Sequence, residues 1–449
     1  MKNTKQSNPR RQNGLFRGAP KLTENSKMSE RRESGVSRRT FMQTVGGLGV
    51  ALGAAGVGGL AAAVERGPDG RILLPRDADG KVISGFEQAK KGVSYWGEGW
   101  EPVSDRKVKV GIAGYGLCKF GATWFYQNHP NVEVVAATDL DPVRCADLAR
   151  AVGAKKTYPS CEEMIKDKEI EAVYIATDAP SHARLSIMAL QHGKHVAVSC
   201  PAVFGFTAFE QTEALFNAVK SSGKIYMMNE TSSFHADNYN WRMQYQAGKF
   251  GDIRYSEGEY YHDFGNKGLG SFNPKTGAID LFGWRRGLVP MWYPTHATAY
   301  YVSVTGGRLT EVSALGTTST HTQFQPENNP YQNPFGNEVG LFKTSDGGIS
   351  RMAMAWDMKD AHGEKGRVYG SKPAGKKMIK RPPLPVGANG PHHGASHGYL
   401  TNDFIESILL GKQPTVGISE ALNMTLAGVV AHQSALKDGE WMNIPQYDL

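Results

Sequence analysis

The sequence predicts an α/β protein: an N-terminal Rossmann domain followed by an α+β domain with an open, mainly antiparallel sheet. Three observations support this fold class. Short β-rich runs alternate with helical stretches between residues 107 and 200, which is typical of βαβ units. The first run, 107–113, leads directly into Gly114 and Gly116. Beyond residue 250, several strand-like runs follow with few helices between them, which favours an antiparallel sheet.

Size and composition bound the class of protein. With 449 residues the chain is too long for one ordinary core, and 40% hydrophobic and 21% charged residues indicate a globular protein. Much of the +8 net charge comes from the first 39 residues, and no zinc-finger or helix-turn-helix spacing follows, so we expect no nucleic-acid partner. Four scattered cysteines predict neither a disulfide framework nor a metal site.

Residues 1–63 have the pattern of a twin-arginine export signal. Arg38 and Arg39 are followed by Phe41, and the run from Thr40 to Val64 is rich in Gly and Ala and carries no charge. The three alanines before Val64 fit a cleavage site. The run could instead remain as an uncleaved anchor, although its glycines disfavour a lipid-facing helix. We therefore expect the twin-arginine machinery as a partner and a periplasmic or extracytoplasmic location.

The remaining chain divides by its composition. Residues 64–105 hold Gly, Pro and Asp clusters and predict a linker or wrapping arm. Residues 106–228 form the predicted nucleotide-binding domain, and residues 229–440 form the predicted substrate and oligomerisation domain. We expect its C-terminal helices to pack back on the first domain. The free face of its open sheet would then pair subunits in a homo-oligomer.

The turn after the first strand predicts a dinucleotide site. Gly114 and Gly116 would let the backbone approach a pyrophosphate, with Leu117 and Cys118 beside it. Asp139 closes the second predicted strand, where an acid binds the adenosine ribose and repels a 2′-phosphate. NAD is therefore favoured over NADP. Lys119 occupies the place of the usual third glycine, so either the helix is displaced or a larger side chain is tolerated there.

Two later strands end in residues suited to the nicotinamide end of the cleft. The strand at 171–177 ends at Thr177, with His182 shortly after it, and the strand at 195–199 runs into Cys200 and Pro201. Ligands of parallel sheets bind at the carboxyl ends of the strands. These four residues are therefore predicted to contact the cofactor.

The run from residue 108 to 201, with the motifs A-T-D-A-P-S-H-A and H-G-K-H-V, resembles the Gfo/Idh/MocA oxidoreductases. The resemblance covers most of residues 107–440. It implies an NAD-dependent enzyme that acts on a sugar or sugar derivative. Most members end the last strand in Glu-Lys-Pro, where the lysine assists proton transfer, but this chain reads Ser199-Cys200-Pro201. A thiol cannot replace an ammonium group, which puts ordinary dehydrogenation in doubt.

The motif Tyr-Pro-Thr-His at residues 293–296 and the segment 257–263 are similar to the NAD-dependent glycoside hydrolases of family 109, which also lack the lysine. That branch is thought to oxidise a sugar at C3, eliminate the aglycone, add water and reduce the product, so that NAD is recycled. The resemblance implies acid/base roles for Tyr260, Tyr293, His296 and Glu230. Tyr260 and Tyr293 could equally be packing residues, and His296 could be a buried structural histidine.

Three histidines precede the first C-terminal helix: His392, His393 and His397. No acid lies nearby at ligand spacing, so we expect a polar loop rather than a metal site, with His397 as a substrate contact. Three functions stay open at this point. They are a sugar oxidoreductase that retains NAD, a family 109 glycosidase, and a non-catalytic dinucleotide- or sugar-binding protein.

Overall fold

The computed structural model describes residues 100–265, 283–359, 361–388 and 390–449. All of them belong to one compact unit, Val64–Leu449. The predicted export signal and residues 64–99 of the predicted linker lie outside the described residues. Among the described helices, none is long and apolar enough to cross a membrane.

The first sheet is parallel and has the Rossmann strand order. Its strands are β1 (Val108–Ala113), β2 (Val132–Thr138), β3 (Lys156–Tyr158), β4 (Ala172–Ile175), β5 (His195–Ser199) and β6 (Tyr226–Asn229). They lie in the order β3-β2-β1-β4-β5-β6. The α-helices between them are α1 (Phe120–Thr123), α2 (Pro142–Val152), α3 (Cys161–Ile165), α4 (His182–Gln191) and α5 (Ala208–Ser222). Such a sheet binds ligands where its strand order reverses, between β1 and β4.

The second sheet is mixed and mainly antiparallel. Its strands are β7 (Ile253–Tyr261), β8 (Leu309–Thr318), β9 (Phe335–Thr344), β10 (Ile349–Ala355), β11 (Gly363–Gly370) and β12 (Met442–Asn443). Their order is β11-β7-β10-β9-β8-β12, and only β7 and β10 pair in parallel. The α-helices of this part are α6 (Ala236–Gln246), α7 (Thr295–Thr305), α8 (His397–Leu410) and α9 (Ile418–Ala435). The predicted fold class is confirmed, although the sequence pattern did not predict β12.

Short helical turns join these elements. The 3₁₀ turns are Tyr126–Asn128, Ala179–Ser181, Thr231–Phe234, Pro290–Trp292, Thr322–Phe324 and Pro326–Asn328, and His392–Ala395 forms one further turn of irregular helix. Helix α9 reaches both sheets. Its Thr425 hydroxyl accepts a hydrogen bond from the Ala202 backbone after β5, and its Ser434 hydroxyl accepts one from Ala314 in β8.

The helical segment that follows the glycine turn is interrupted. It ends at Thr123, and Phe125 has a left-handed backbone with φ of 63° before the 3₁₀ turn. The carbonyls of Thr123 and Trp124 accept hydrogen bonds from His397 and Thr401 of α8 instead of from the next turn of their own helix. Tertiary contacts therefore replace the local hydrogen bonds that a continuous helix would have made.

Helix α7 packs on β7 with no side chain between the two backbones. A Cβ atom at Gly258 would lie 2.0 Å from the Ala297 carbonyl oxygen. We expect Gly258→Ala to lower the free energy of unfolding by about 1–3 kcal/mol, because the helix or the strand must shift. Urea titration measures this. Gly375→Ala, whose added Cβ meets only the flexible end of Gln244, is the matched control. Equal losses in the two variants would contradict the close-packing argument.

Candidate functional site

The glycine turn after β1 is closed toward the protein and open toward solvent. A Cβ at Gly114 would lie 2.2 Å from the Ala176 carbonyl oxygen, whereas a Cβ at Gly116 meets no atom within 4 Å. A Cβ at Gly121 would lie 2.4 Å from the Gly114 oxygen. Gly121 therefore provides the close helix–strand contact that the third glycine usually provides. The helix is displaced, and Lys119 precedes it with a left-handed backbone at φ of 50°.

Asp139 ties the end of β2 to this turn. Its carboxylate accepts hydrogen bonds from the backbone N–H groups of Tyr115 at 2.7 Å and Asp141 at 2.9 Å. Each carboxylate oxygen has a second lone pair, so the acid can still accept from ribose hydroxyls. Leu117 and Leu140 are 55% and 80% exposed beside it and offer apolar surface to a ligand.

Two polar atoms near the carboxyl ends of β4 and β5 are buried without a hydrogen-bond partner among the described residues. They are Thr177 Oγ1 and His182 Nε2. His182 Nδ1 donates to the Pro201 carbonyl at 2.9 Å, and burial lowers the pKa of this histidine. Buried polar groups rarely lack partners. Together with the open turn and Asp139, these atoms fit a bound dinucleotide.

A cavity lies where the carboxyl ends of β5 and β6 meet the second sheet. Five of the predicted site residues line it: Cys118, Cys200, Tyr260, Tyr293 and His296. Other lining residues were not predicted from the sequence, including Asn229, His262, Trp284, Arg285, Trp356 and His393. Arg285 stacks on Trp284 at 4.0 Å and adds a cation to the wall. Trp284 and Arg285 stand next to each other in the sequence, but no motif marked the pair as part of a site.

His296 is held between a carboxylate and a thiol at the start of α7. Its Nδ1 donates to Glu230 Oε1 at 2.8 Å, and its Nε2 lies 3.8 Å from Cys200 Sγ. Burial opposes protonation of the ring, but the charges of Glu230 and Glu364 outweigh it and raise the pKa of His296 well above its ordinary value. The imidazole is therefore a cation near neutral pH, anchored on one side and facing the cavity on the other.

Two tyrosines pack around this histidine. The Tyr260 ring lies 4.6 Å from the His296 ring, and the Tyr293 hydroxyl accepts a hydrogen bond from Cys200 Sγ at 3.6 Å. Burial raises the pKa of both tyrosines well above the usual value. They remain neutral phenols at usable pH and can donate hydrogen bonds. Their part in acid/base chemistry is thereby limited to donation.

A second buried carboxylate, Glu364 of β11, lies close to three histidines. His393 Nδ1 donates to Glu364 Oε1 at 2.8 Å, while His235 Nε2 and His296 Nδ1 lie 3.3 Å and 3.7 Å from Oε2. The Ser232 hydroxyl donates to Oε2 at 2.6 Å. Burial opposes ionisation, yet the surrounding histidines hold the pKa of Glu364 far below its ordinary range. No sequence pattern connects residue 364 with residues 235 and 393.

Cys200, Glu230 and His296 have side chains that bind metals and lie close together. One potential ligand atom of each residue lies within 4.8 Å of the other two. In the structure, however, Glu230 accepts a hydrogen bond from Nδ1 of the histidine and Cys200 faces Nε2. The arrangement instead suits a histidine oriented by a carboxylate.

The prediction that His397 contacts substrate needs correction. The ring is 2% exposed, stacks on Trp124 at 4.6 Å, and donates from Nδ1 to the Thr123 carbonyl. Burial lowers its pKa to about 3, so it remains neutral. It does not line the cavity, whereas His393, which stacks on it at 5.3 Å, does.

Comparison with known proteins agrees with this geometry. Residues 108–230 match the family described as "Oxidoreductase family, NAD-binding Rossmann fold" (Gfo/Idh/MocA). The chain is 30% identical over 165 residues to glycosyl hydrolase family 109 protein 1 of Bacteroides fragilis, a match that spans 35% of each chain. It is 26% identical over 347 residues to a glycosyl hydrolase family 109 protein of Saccharopolyspora erythraea, which spans 72% of this chain and 70% of that one.

Solved structures share the fold at low identity. Levoglucosan dehydrogenase, in complex with NADH and levoglucosan, superposes with a TM-score of 0.61 at 17% identity, covering 76% of this chain and all 100% of that chain. Myo-inositol 2-dehydrogenase from Lactobacillus plantarum gives a TM-score of 0.57 at 18% identity, with the same coverage of 76% and 100%. Residues 108–230, which include the Rossmann sheet, are thus similar to the Gfo/Idh/MocA oxidoreductase family.

Proposed function

We propose that this protein is an NAD-dependent enzyme that oxidises one carbon of a sugar or sugar derivative and recycles its NAD within the turnover. The observation that carries the proposal is the pair formed by Glu230 and His296, which stands beside Cys200 at the carboxyl edge of the Rossmann sheet. A sugar bound in the cavity would meet one oriented proton-exchanging group there. The aromatic and polar wall suits a carbohydrate, which presents both apolar faces and hydroxyl groups.

The residues that would hold NAD are the open turn at Gly116, Asp139 and the two buried polar atoms of Thr177 and His182. When bound, NAD supplies the two-electron redox chemistry that no side chain can supply. His296 exchanges the proton of the reacting hydroxyl, and Glu230 keeps its ring oriented. Asp139 would disfavour the 2′-phosphate of NADP.

Two features favour retained NAD over release after each turnover. Cys200 stands where most Gfo/Idh/MocA oxidoreductases carry a lysine, so the usual ammonium group for net dehydrogenation is missing. The paired arginines at 38 and 39 support export through the twin-arginine route, to a compartment where released NADH is not reoxidised. An uncleaved signal would leave the enzyme anchored to the membrane instead.

A second candidate function is net hydrolysis of a glycoside. The family 109 names of its relatives favour it, and so does the Tyr-Pro-Thr-His motif that ends at His296. One carbon would then be oxidised before the aglycone is lost and reduced afterwards. The two candidates share the same residues and differ in whether a leaving group departs.

We also propose that two copies of the chain pair through the open face of the second sheet. The face turned away from α7 and α9 exposes apolar side chains. Leu341 is 49% exposed and Ile349 is 54% exposed, and Trp441, at the edge of this face, is 51% exposed. Apolar surface of this kind marks an interaction site.

The glycine turn gives a direct test of NAD binding. We expect Gly116→Val to weaken NAD binding at least about 10-fold without lowering the melting temperature of the NAD-free protein, because the new side chain meets only the space where a pyrophosphate would lie. Calorimetric titration measures binding, and mass spectrometry after denaturation shows whether NAD co-purifies. Unchanged affinity in the variant, or a wild-type protein that binds no NAD, would contradict the proposal.

The role of His296 predicts a specific loss of activity. We expect His296→Gln to reduce turnover by about 100-fold or more, because proton exchange with the reacting hydroxyl is lost. The assay is release of nitrophenol from a panel of nitrophenyl glycosides, with absorbance at 340 nm followed in parallel. Release without net NADH supports hydrolysis, whereas accumulating NADH supports net oxidation. The exposed neighbour of the cavity histidine, His392, provides the control variant His392→Gln.

The raised pKa of His296 predicts how the oxidation step depends on pH. The ring is protonated near neutral pH and must lose its proton to act as a base, so the rate of oxidation should rise with pH to a midpoint well above the ordinary value for histidine. Glu230→Gln removes the main charge that raises the pKa and should move this midpoint to lower pH. Stopped-flow absorbance at 340 nm across pH gives the midpoint.

Glu338→Gln is the matched control for this shift. Glu338 is also a buried carboxylate that accepts from a histidine, His432, at 2.7 Å, but neither residue lines the cavity. This variant should lose stability and keep the midpoint. A midpoint that does not move in Glu230→Gln would contradict the assigned role of His296.

A further inference from the structure

The cavity has a second histidine held by a second carboxylate. His393 lines the wall, and its ring lies 6.3 Å from the His296 ring in a nearly parallel orientation of 12°. Its Nδ1 is committed to Glu364 at 2.8 Å, so Nε2 is the nitrogen left for a ligand in the cavity. The His393 side chain is 29% exposed, whereas that of Glu364 is 7% exposed. The cavity thus has two histidines that are each held by a glutamate: Glu230 holds His296, and Glu364 holds His393.

The backbone that carries His393 is held in a rare conformation. His393, Gly394 and Ala395 have positive φ angles of 46°, 62° and 54°, and two of these residues are not glycine. Left-handed backbone at such residues is costly and tends to persist at functional sites. The conformation lets the His393 ring reach Glu364 across the cavity wall.

Contacts from the second domain keep this turn in place. The Arg381 guanidinium donates to the carbonyls of Gly394 at 3.0 Å and Ala395 at 3.1 Å, and it also donates to Phe234 at 2.8 Å. A side chain at Gly394 would collide with the His235 ring at 2.7 Å. The turn therefore lies against the same carboxylate cluster that it serves.

We propose that His393, positioned by Glu364, is a second acid/base residue of this site and acts on the carbon next to the one that is oxidised. The inference rests on the proposed function. Oxidation of a hydroxyl requires one group to exchange one proton, and His296 fills that role. A second oriented imidazole on the same cavity is needed only if a second proton moves, as it does in an elimination or an epimerisation.

The elimination follows oxidation of the sugar and consumes no further oxidant. Oxidation of one sugar carbon to a ketone, with NAD as the two-electron oxidant, makes the C–H bond of the neighbouring carbon acidic. His393 Nε2 accepts that proton, the electron pair of the bond forms a C=C bond, and the bond from the next carbon to the leaving oxygen breaks. The leaving oxygen keeps that bond's electron pair and takes the proton from His393. Glu364 stabilises the imidazolium ring that exists between the two transfers.

Deuterium incorporation from the solvent distinguishes the role of His393 from that of His296. The NAD-loaded protein is incubated in D₂O with a panel of nitrophenyl glycosides, and the recovered sugar is analysed by mass spectrometry while absorbance at 340 nm is followed. We expect His393→Gln to lose deuterium incorporation and nitrophenol release by about 100-fold, with the transient at 340 nm changed by less than about 3-fold. His296→Gln should lose all three signals, and His392→Gln should keep them.

Two further variants guard against misfolding and test the positioning role. His393→Asn suits the left-handed backbone, because asparagine tolerates that conformation, and it should give the same pattern as His393→Gln. Glu364→Gln should reduce deuterium incorporation more than the transient. Deuterium incorporation that persists in both His393 variants would overturn this inference and leave the proposed function intact. A wild-type protein without any transient at 340 nm would overturn both.

Discussion

The site depends on the close contact between helix α7 and strand β7. Because Gly258 has no side chain, the backbone of the strand reaches the Ala297 carbonyl, and the first turn of the helix is fixed against the second sheet. His296 stands in that first turn, one residue before the contact. This contact also places the His296 ring between Glu230, which follows the last strand of the Rossmann sheet, and Cys200, which follows β5. A shift of the helix would move the histidine away from both.

Charge balance explains why so many ionisable groups can be buried together. Glu230 and Glu364 are both buried, and an isolated carboxylate in such a place would be costly. The protonated His296 lies next to both of them, and His393 and His235 add further neighbours to Glu364. The cluster is thus stabilised by its own pairs, which raise the pKa of His296 and lower that of Glu364.

Most Gfo/Idh/MocA oxidoreductases carry a lysine where this chain has Cys200, and the thiol fits the buried cluster of charges. An ammonium group in that position would lie close to the protonated His296 and would compete with it for the same carboxylates. The thiol lies 3.8 Å from His296 Nε2 and donates a hydrogen bond to the Tyr293 hydroxyl. With a thiol there, we assign proton exchange to the imidazoles that are oriented by buried acids. This arrangement suits a cycle in which protons move on and off the substrate with no net redox change.

The amino-acid sequence alone is enough to predict the Rossmann domain, its glycine turn and the motif ending at His296, because strand and helix periods and the turn residues are local properties of the chain. It left the role of Lys119 open, and it predicted His397 as a substrate contact, whereas His393 is the histidine that lines the cavity. Tertiary contacts explain both differences. Gly121 replaces the missing glycine through its contact with Gly114, and Glu364 reaches His393 through contacts between segments far apart in the chain. No local pattern encodes which distant side chains will share one buried carboxylate.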